Sequence, residues 1–416
     1  PAALHAGGAQ GDMGSKNTAN DTAYGLKVPG FRAAGIPCGI KRNGKRDLAL
    51  ILSDVEANVA GVFTKNTVKA APVLIDIERV KRGKARGVVI NSGNANACTG
   101  ERGYKDALGM AACVEEAVGA EKGSILVCST GVIGVPLPVE KVMKSAPGLI
   151  EALNYDGLAN ACEAIMTTDA FPKKAFARAK IGGKTVTLAG IAKGAGMICP
   201  NMATMLAFFV TDADMKGGAL KLALKEAVDG SFNSIIVDND TSTNDTVLVF
   251  ANGMSRCREI KAATQDFKAF LRLLSGVALK LAKMVVRDGE GATRLMEIYV
   301  SGAPSVADAK RGARTIAESF LVKTAFFGAD PNWGRVMAAL GRSGIKFKEE
   351  RVDISFNGVK VVSRGLDTGR EKEAADAIST DEVRVTVNLR AGKQNTKVWT
   401  SDLGYEYVKI NSAYRT

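Results

Sequence analysis

The sequence predicts an α/β protein, and three features carry that expectation. Short apolar runs bounded by polar or turn-forming residues, Leu48–Leu52 and Met205–Val210 among them, have the length and content of buried strands. Phe267, Phe270, Leu271, Leu274, Ala278, Leu281 and Val285 repeat at helical spacing and mark the inner face of a long helix. Strand and helix patterns alternate for most of the 416 residues, which is length enough for two or three domains. The expected division is a tail (1–23), an N-terminal α/β domain (24–210), a middle α/β domain (211–290) and a smaller C-terminal α/β domain (291–416).

Composition excludes several classes. Hydrophobic residues make up 46% and charged residues 24% of the chain, as in ordinary globular proteins. No apolar run approaches the roughly 18 to 20 residues of a membrane helix, so no membrane partner is expected. Residues 1–22 show neither an apolar signal core nor an Arg-rich transit pattern, and a cytoplasmic location is the expectation. The seven cysteines are odd in number and lack CxxC spacing, which argues against a disulfide framework and a zinc site. A net charge of +13 raises nucleic-acid binding, but the basic clusters at Lys41–Arg46 and Arg79–Arg86 are short and carry no interleaved aromatics. A solvated basic face is the reading favoured over a nucleic-acid partner, and the charge can enrich carboxylate substrates.

Taken in order, Asp47–Leu52, Ala60–Thr64 and Gly87–Asn91 read as core strands, and Asn91–Ala97 as a sharp turn-rich connection. Gly103–Val118 has helical spacing. The strand Ile125–Cys128 runs into Ser129-Thr130-Gly131, where a hydroxyl residue and a glycine at a strand end read either as a tight turn or as oxyanion donors. Leu149–Ala164 is patterned as one helix, followed by Met166-Thr167-Thr168-Asp169 as a cap. Ala177–Ile181 and Thr185–Leu188 flank Gly182-Gly183 as a hairpin. Its Gly-Lys-Thr is no P-loop, because Arg178 occupies the place of the leading glycine and no helix follows. Lys193 ends that region as either a solvated lysine or a cation for a substrate carboxylate.

Beyond it, Leu220, Ala223, Leu224 and Ala227 form a helix stripe, and Ser234–Val237 and Thr246–Phe250 read as strands. The polar run Asp238–Asp245 lacks the closing Glu and central Gly of an EF-hand, so an Asx-turn loop is expected and no metal. Glu290, between two glycines, reads as a surface turn or a carboxylate for a substrate ammonium. Ser305–Asp308 opens a helix expected to carry Ile316, Phe320 and Leu321 inward. Phe327–Arg335 reads as a rigid loop with a packed Trp. Val352–Phe356 and Val359–Val362 turn at Asn357-Gly358, the strongest short hairpin signal. Glu382–Leu389 and Thr400–Tyr407 continue the β pattern, and the last residues would fray.

The chemistry centres on Lys193-Gly194-Ala195-Gly196-Met197-Ile198-Cys199-Pro200-Asn201-Met202-Ala203-Thr204, a loop entering a core strand. The chain has one histidine, His5, in the tail, so no Ser-His-Asp, Cys-His or His-rich metal arrangement can be built from it. Cys199 as a nucleophile lacks an evident activator. A nucleophile that carries its own base avoids the difficulty: if the Ala203–Thr204 bond is cut, the freed α-amine, with a pKa of about 8, can accept the Thr204 hydroxyl proton.

This run closely resembles the self-cleavage segment of the ornithine acetyltransferase (glutamate N-acetyltransferase) family of arginine biosynthesis. The resemblance extends in ordered motifs from Asp47 to Thr416. Ala195 and Cys199 stand at positions that vary within the loop, and the tail before Tyr24 matches nothing. What it implies is a layered α/β/β/α sandwich like that of N-terminal-nucleophile enzymes, cut between Ala203 and Thr204 into fragments 1–203 and 204–416. It further implies Thr204 as nucleophile, Thr130 and Gly131 as oxyanion hole, and Thr167, Lys193, Thr204, Glu290, Asn411 and Thr416 as substrate contacts. The implied reaction moves acetyl from N-acetylornithine to glutamate through acetyl-Thr204 without a cofactor, acetyl-CoA being a further candidate donor. The implied assembly is an α2β2 heterotetramer. The alternative on the same architecture is an aminopeptidase or amidase, in which water takes the acyl group.

Overall fold

The computed structural model describes residues 25–199 and 205–413. The first part of the chain forms β1 (Phe31–Ile36), β2 (Leu48–Phe63), α1 (Ala71–Arg79), β3 (Lys84–Asn94), α2 (Gly100–Ala117), β4 (Ile125–Val132), α3 (Val139–Glu151) and α4 (Leu158–Ala164). Then come β5 (Lys173–Ile181), β6 (Lys184–Lys193), β7 (Leu206–Thr211), α5 (Gly217–Asp229), β8 (Ile235–Ile236), β9 (Thr246–Ala251) and α6 (Gln265–Arg287). The remainder is β10 (Leu295–Ala303), α7 (Val306–Ala317), α8 (Phe320–Phe327), α9 (Trp333–Gly341), β11 (Asp353–Phe356) and β12 (Val359–Ser363). It ends with β13 (Leu366–Asp367), α10 (Glu371–Ile378), β14 (Glu382–Asn388), β15 (Gln394–Ser401) and α11 (Tyr405–Ser412).

Among the described residues these strands form two sheets in an α/β sandwich. The first has the order β4-β3-β2-β9-β7-β6-β5, with β1 added to β2, and the second the order β13-β12-β11-β14-β10-β15-β8. The strand β7 is buried along its whole length, antiparallel to β6 and parallel to β9. Its alternation divides the interior: Ala207 and Phe209 face α5 and α6, while Leu206, Phe208 and Val210 face the layer containing α4. The second sheet packs Ile298, Val300, Val385 and Val387 against Ile316, Phe326 and Leu340 of α7, α8 and α9. Residues 211–290, expected as a middle domain, supply β9 to the first sheet, β8 to the second and the helices α5 and α6 to the core beside the first.

Several local expectations are corrected. The runs expected at Asp47–Leu52 and Ala60–Thr64 merge into one 16-residue strand, β2, which leaves out Asp47 and Thr64 and whose middle, Val55 and Glu56, is exposed where the pairing with β3 shifts between Leu52 and Ala57. The single helix expected over Leu149–Ala164 is two. Asn154 accepts the Asp156 N–H at 2.9 Å, and Gly157 lies so close to β1 that a Cβ there would fall 1.7 Å from the Ala33 carbonyl oxygen. Ser305 does cap α7, accepting the Asp308 N–H at 3.0 Å, but the helix ends at Ala317 and Ser319 caps a new one. The restart changes the helical phase, so Phe320 and Leu321 are 55% and 62% exposed instead of inward. Phe327–Arg335 contains the start of α9, capped by Asn332. The β pattern of Thr400–Tyr407 stops at Ser401, and Asn411 sits on α11 instead of in a frayed end.

The α8 face toward the second sheet carries a buried cation. Lys323 donates to Thr400 Oγ1 at 2.7 Å and to the Ser401 carbonyl, joining α8 to β15. Burial lowers its ammonium to about 7 from an ordinary 10.5, against the pull of Asp402 and Asp238. Between those values the unfolded chain holds a proton that the folded chain lacks, so this lysine makes stability rise with pH and leaves it lowest below about 7. Lys323→Met is expected to remove that rise, seen as a flatter pH dependence of the urea midpoint between about pH 7 and about pH 10.

Candidate active site

A cavity of about 250 Å³ opens where the ends of β4 and β6 meet the loops after α4, β8 and α6. Its lining includes Thr130, Gly131, Thr167, Lys193, Glu290 and Asn411. The structure therefore brings together six of the residues singled out from the sequence. Ala203, Thr204 and Thr416 lie outside the described residues.

The Thr130–Gly131 strand end is built by pairing. Ser92 and Gly93 of β3 stand beside Thr130 and Gly131 in parallel register, and Gly131 adopts φ +137°. A Cβ at Gly131 would fall 2.3 Å from the Gly93 carbonyl carbon and 2.4 Å from the Asn94 nitrogen, so only glycine fits. Lys193, 3% exposed, donates to Thr130 Oγ1 at 3.1 Å. A hydroxyl oxygen that accepts from an ammonium keeps its own O–H for another acceptor, which makes Thr130 a donor toward the cavity. Burial lowers the Lys193 pKa, and the carboxylates of Asp169, Glu290 and Asp245 oppose that.

Glu290 reaches the site because its loop folds back. Its N–H donates to the Ala195 carbonyl at 2.9 Å, and its carboxylate accepts from Asn411 Nδ2 at 2.8 Å. Gly196 makes room: a Cβ there would sit 2.5 Å from Glu290 Oε2. Thr167 turns over Asp169, whose Oδ2 accepts the Thr167 N–H at 2.9 Å.

The turn-rich loop at 238–245 is closer to the chemistry than the sequence reading placed it. Asp238 accepts the N–H groups of Met197 and Ile198 at 2.7 and 2.8 Å, and Asp245 accepts that of Met205 at 3.0 Å. Two carboxylates thus grip the chain before and after residues 200–204. Burial pushes Asp245 well above the usual carboxylate range. Asn244, also on the cavity wall, donates to the carbonyls of Ala95 and Ser129 at 2.7 and 2.8 Å and ties the loop to β4. The signal for these roles was the density of Asx residues, which sequence alone reads as a turn. Cys199 approaches Arg314 and Glu318, and burial pushes its thiol up to about 11, so it is no thiolate near neutrality.

Strand-end donors, a buried ammonium and a carboxylate around one small cavity define an acyl-transferring enzyme site. A sequence model of the ArgJ family matches residues 32–416. The arginine biosynthesis bifunctional protein ArgJ of Geobacter sulfurreducens is 50% identical over 393 residues, which cover 94% of this chain and 100% of the relative. Its counterpart in Symbiobacterium thermophilum is 50% identical over 398 residues, 95% of this chain and 99% of the relative. A crystal structure of the arginine biosynthesis bifunctional protein of Bacillus halodurans is 41% identical, with a TM-score of 0.49, covering 50% of this chain and 98% of that one. The chain belongs to the ArgJ family.

Because Gly131 has no room for a side chain, Gly131→Ala is expected to displace the β3–β4 strand ends that line the cavity and lower kcat/KM by about 100-fold or more, the scale on which misplacing one preorganised backbone donor acts. Steady-state kinetics beside an unchanged far-UV circular dichroism spectrum checks it.

Proposed function

We propose that the chain is a self-processing glutamate N-acetyltransferase that moves acetyl from N-acetylornithine to glutamate in arginine biosynthesis. The observation that carries this reading is the convergence of Thr130, Gly131, Lys193, Glu290 and Asn411 on one cavity beside the entry of β7. Thr204 immediately precedes Met205, whose N–H is held by Asp245.

Processing comes first. The Thr204 hydroxyl attacks the Ala203 carbonyl, the peptide bond shifts to an ester, and water splits that ester to leave a carboxylate on Ala203 and a free α-amine on Thr204. That amine is the base an active site without histidine requires. In the transfer it takes the Thr204 hydroxyl proton as the oxygen attacks the acetyl carbonyl of N-acetylornithine. The Thr130 hydroxyl and the Gly131 N–H stabilise the oxyanion, and ornithine leaves with the proton. Glutamate then enters, its neutral amine attacks the acetyl ester, and the Thr204 oxygen recovers the proton.

Two charges orient N-acetylornithine, and one of them, on Lys193, also serves glutamate. The Lys193 ammonium pairs with an α-carboxylate, and the Glu290 carboxylate, steadied by Asn411, pairs with the ammonium of the ornithine side chain. Thr167 and Thr416 complete the pocket in this reading. An amine held at attacking distance has an effective concentration that outweighs bulk water, which favours transfer over hydrolysis. No cofactor takes part, and acetyl-CoA is the further candidate donor. The fragments stay joined through β6 and β7, pair as an α2β2 heterotetramer, and act in the cytoplasm. Among the described residues no helix is long and apolar enough to cross a membrane.

Denaturing electrophoresis is expected to give two bands of nearly equal size, one beginning Thr204-Met205-Leu206. An intact chain with full activity overturns the mechanism. Thr204→Ala is expected to remain uncut and inactive, and Thr204→Ser to retain part of the rate because its hydroxyl remains. Consumption of N-acetylornithine should depend strongly on glutamate. Equal consumption without it would establish the amidase reading instead.

A further inference from the structure

Behind the cavity wall lies a buried ionic group that the transfer mechanism does not use. Lys173 of β5 donates to Asp169 Oδ1 at 2.7 Å and to Asp288 Oδ2, and the side chains of Lys173, Asp169 and Asp288 are 0%, 0% and 3% exposed. Buried ion pairs commonly do no more than satisfy one another, and their net effect on stability is small. Here the remaining hydrogen bonds of the two carboxylates lead into the substrate site. Asp169 Oδ1 accepts the Gly194 N–H at 2.7 Å, next to Lys193, while its Oδ2 accepts the Thr167 N–H at 2.9 Å. Asp288 accepts the Ala170 N–H at 3.0 Å and stands two residues before Glu290. One carboxylate thus joins two cavity-lining segments that are separate in sequence, and its partner through Lys173 anchors a third.

We propose that Asp169 is the positioning residue of this site: it locks the Thr167 turn to the Lys193–Gly194 strand end and supplies the counter-charge of the buried Lys193 ammonium. The inference rests on the substrate role assigned above to Lys193 and Thr167. Charge supports it. With Asp169, Asp288, Lys173 and Lys193 ionised, the four charges cancel, as burial of charged groups favours.

The groups that interact with Lys193 are Asp169, Glu290 and Asp245, which favour its charged form, and Lys173 and Lys41, which oppose it. Of the three carboxyls, Asp245 is pushed well up by burial, and Glu290 is shared with Asn411. Burial would raise Asp169 too, but Lys193 and Lys173 outweigh it and hold the acid at about 2, so its charge persists at every working pH.

The test is Asp169→Asn, because an amide has one acceptor oxygen and cannot take both N–H groups, and it carries no charge. The expected result is a rise of about tenfold in KM for both N-acetylornithine and glutamate, the scale of a lost charged hydrogen bond, with a smaller fall in kcat. The alkaline limb of kcat/KM against pH should also move to lower pH, because Lys193 loses its proton more readily. The paired variant Asp169→Asn with Lys173→Met keeps the interior neutral and is expected to show the same rise in KM with a smaller displacement of the limb, because Lys173, which opposes the charged form of Lys193, is lost with Asp169.

A folded, self-cut variant of either kind with the KM and the alkaline limb of the unaltered enzyme overturns the proposal. Should neither fold, Asp169→Glu decides: the charge stays but the oxygens move, so a raised KM with an unmoved limb supports positioning and an unchanged KM refutes it. The unaltered enzyme is measured alongside. Its failure to transfer acetyl would sink the proposed function, whereas its normal transfer with unaffected variants would sink this inference alone.

Discussion

The pairing of β7 between β6 and β9 is the constraint on which the site depends. Lys193 at the end of β6 stands opposite Leu206 at the start of β7, and Leu206 stands beside Thr246 at the start of β9. The loop between β6 and β7 must therefore leave and return at one edge of the layer, beside the cavity. Each ladder bond contributes only about 0.5–1.5 kcal/mol net, but β7 also buries Phe208 and Phe209 on opposite faces. A cut between Ala203 and Thr204 removes one covalent bond and none of these interactions. The fold can thus be assembled as one chain and persist as two.

Electrostatics then aims the loop at the cavity. The first carboxylate of the 238–245 segment holds the backbone at Met197 and Ile198, and the last holds it at Met205. Backbone N–H groups bound this way cannot drift, and the segment carrying the grips is itself tied to β4 through Asn244. The site is consequently a meeting of strand ends from the first sheet with the loops folded onto them, held by side chains that donate to or accept from backbone. Such contacts fix distance and direction more tightly than apolar packing does, which suits chemistry that needs sub-ångström placement.

Much of this was legible in the sequence because the strongest signals are local. The Asn357-Gly358 turn, the stripe of α6 and the apolar run of β7 each encode their structure within a few residues, and all three are present. Boundaries failed where tertiary contacts decide them. Asp54-Val55-Glu56 look like a loop because two carboxylates interrupt the apolar run, yet β2 continues through them with Val55 and Glu56 exposed. Phe320 looks inward by periodicity until the Ser319 cap resets the phase. The resemblance supplied Thr130, Gly131, Thr167, Lys193, Glu290 and Asn411, and folding gathers them. What no periodicity could show is which distant backbone groups Asp169, Asp238, Asp245 and Asp288 would hold, because those partners lie from 25 to 118 residues away, set by topology rather than by spacing.

The two reactions proposed for this site place the same demand on it. In self-cleavage and in acetyl transfer alike, the Thr204 oxygen attacks a trigonal carbonyl and negative charge grows on the oxygen of that carbonyl. One set of donors at the Thr130–Gly131 strand end can serve both if the Ala203 carbonyl and the acetyl carbonyl occupy the same place in turn. Cleavage frees that place by releasing the chain end at Ala203, and it converts the amide nitrogen of Thr204 into a base. The substrate contacts at Lys193 and Glu290 become useful only afterwards. On this reading the first reaction prepares both the space and the proton acceptor that the second requires, without any change in the sheet that holds them.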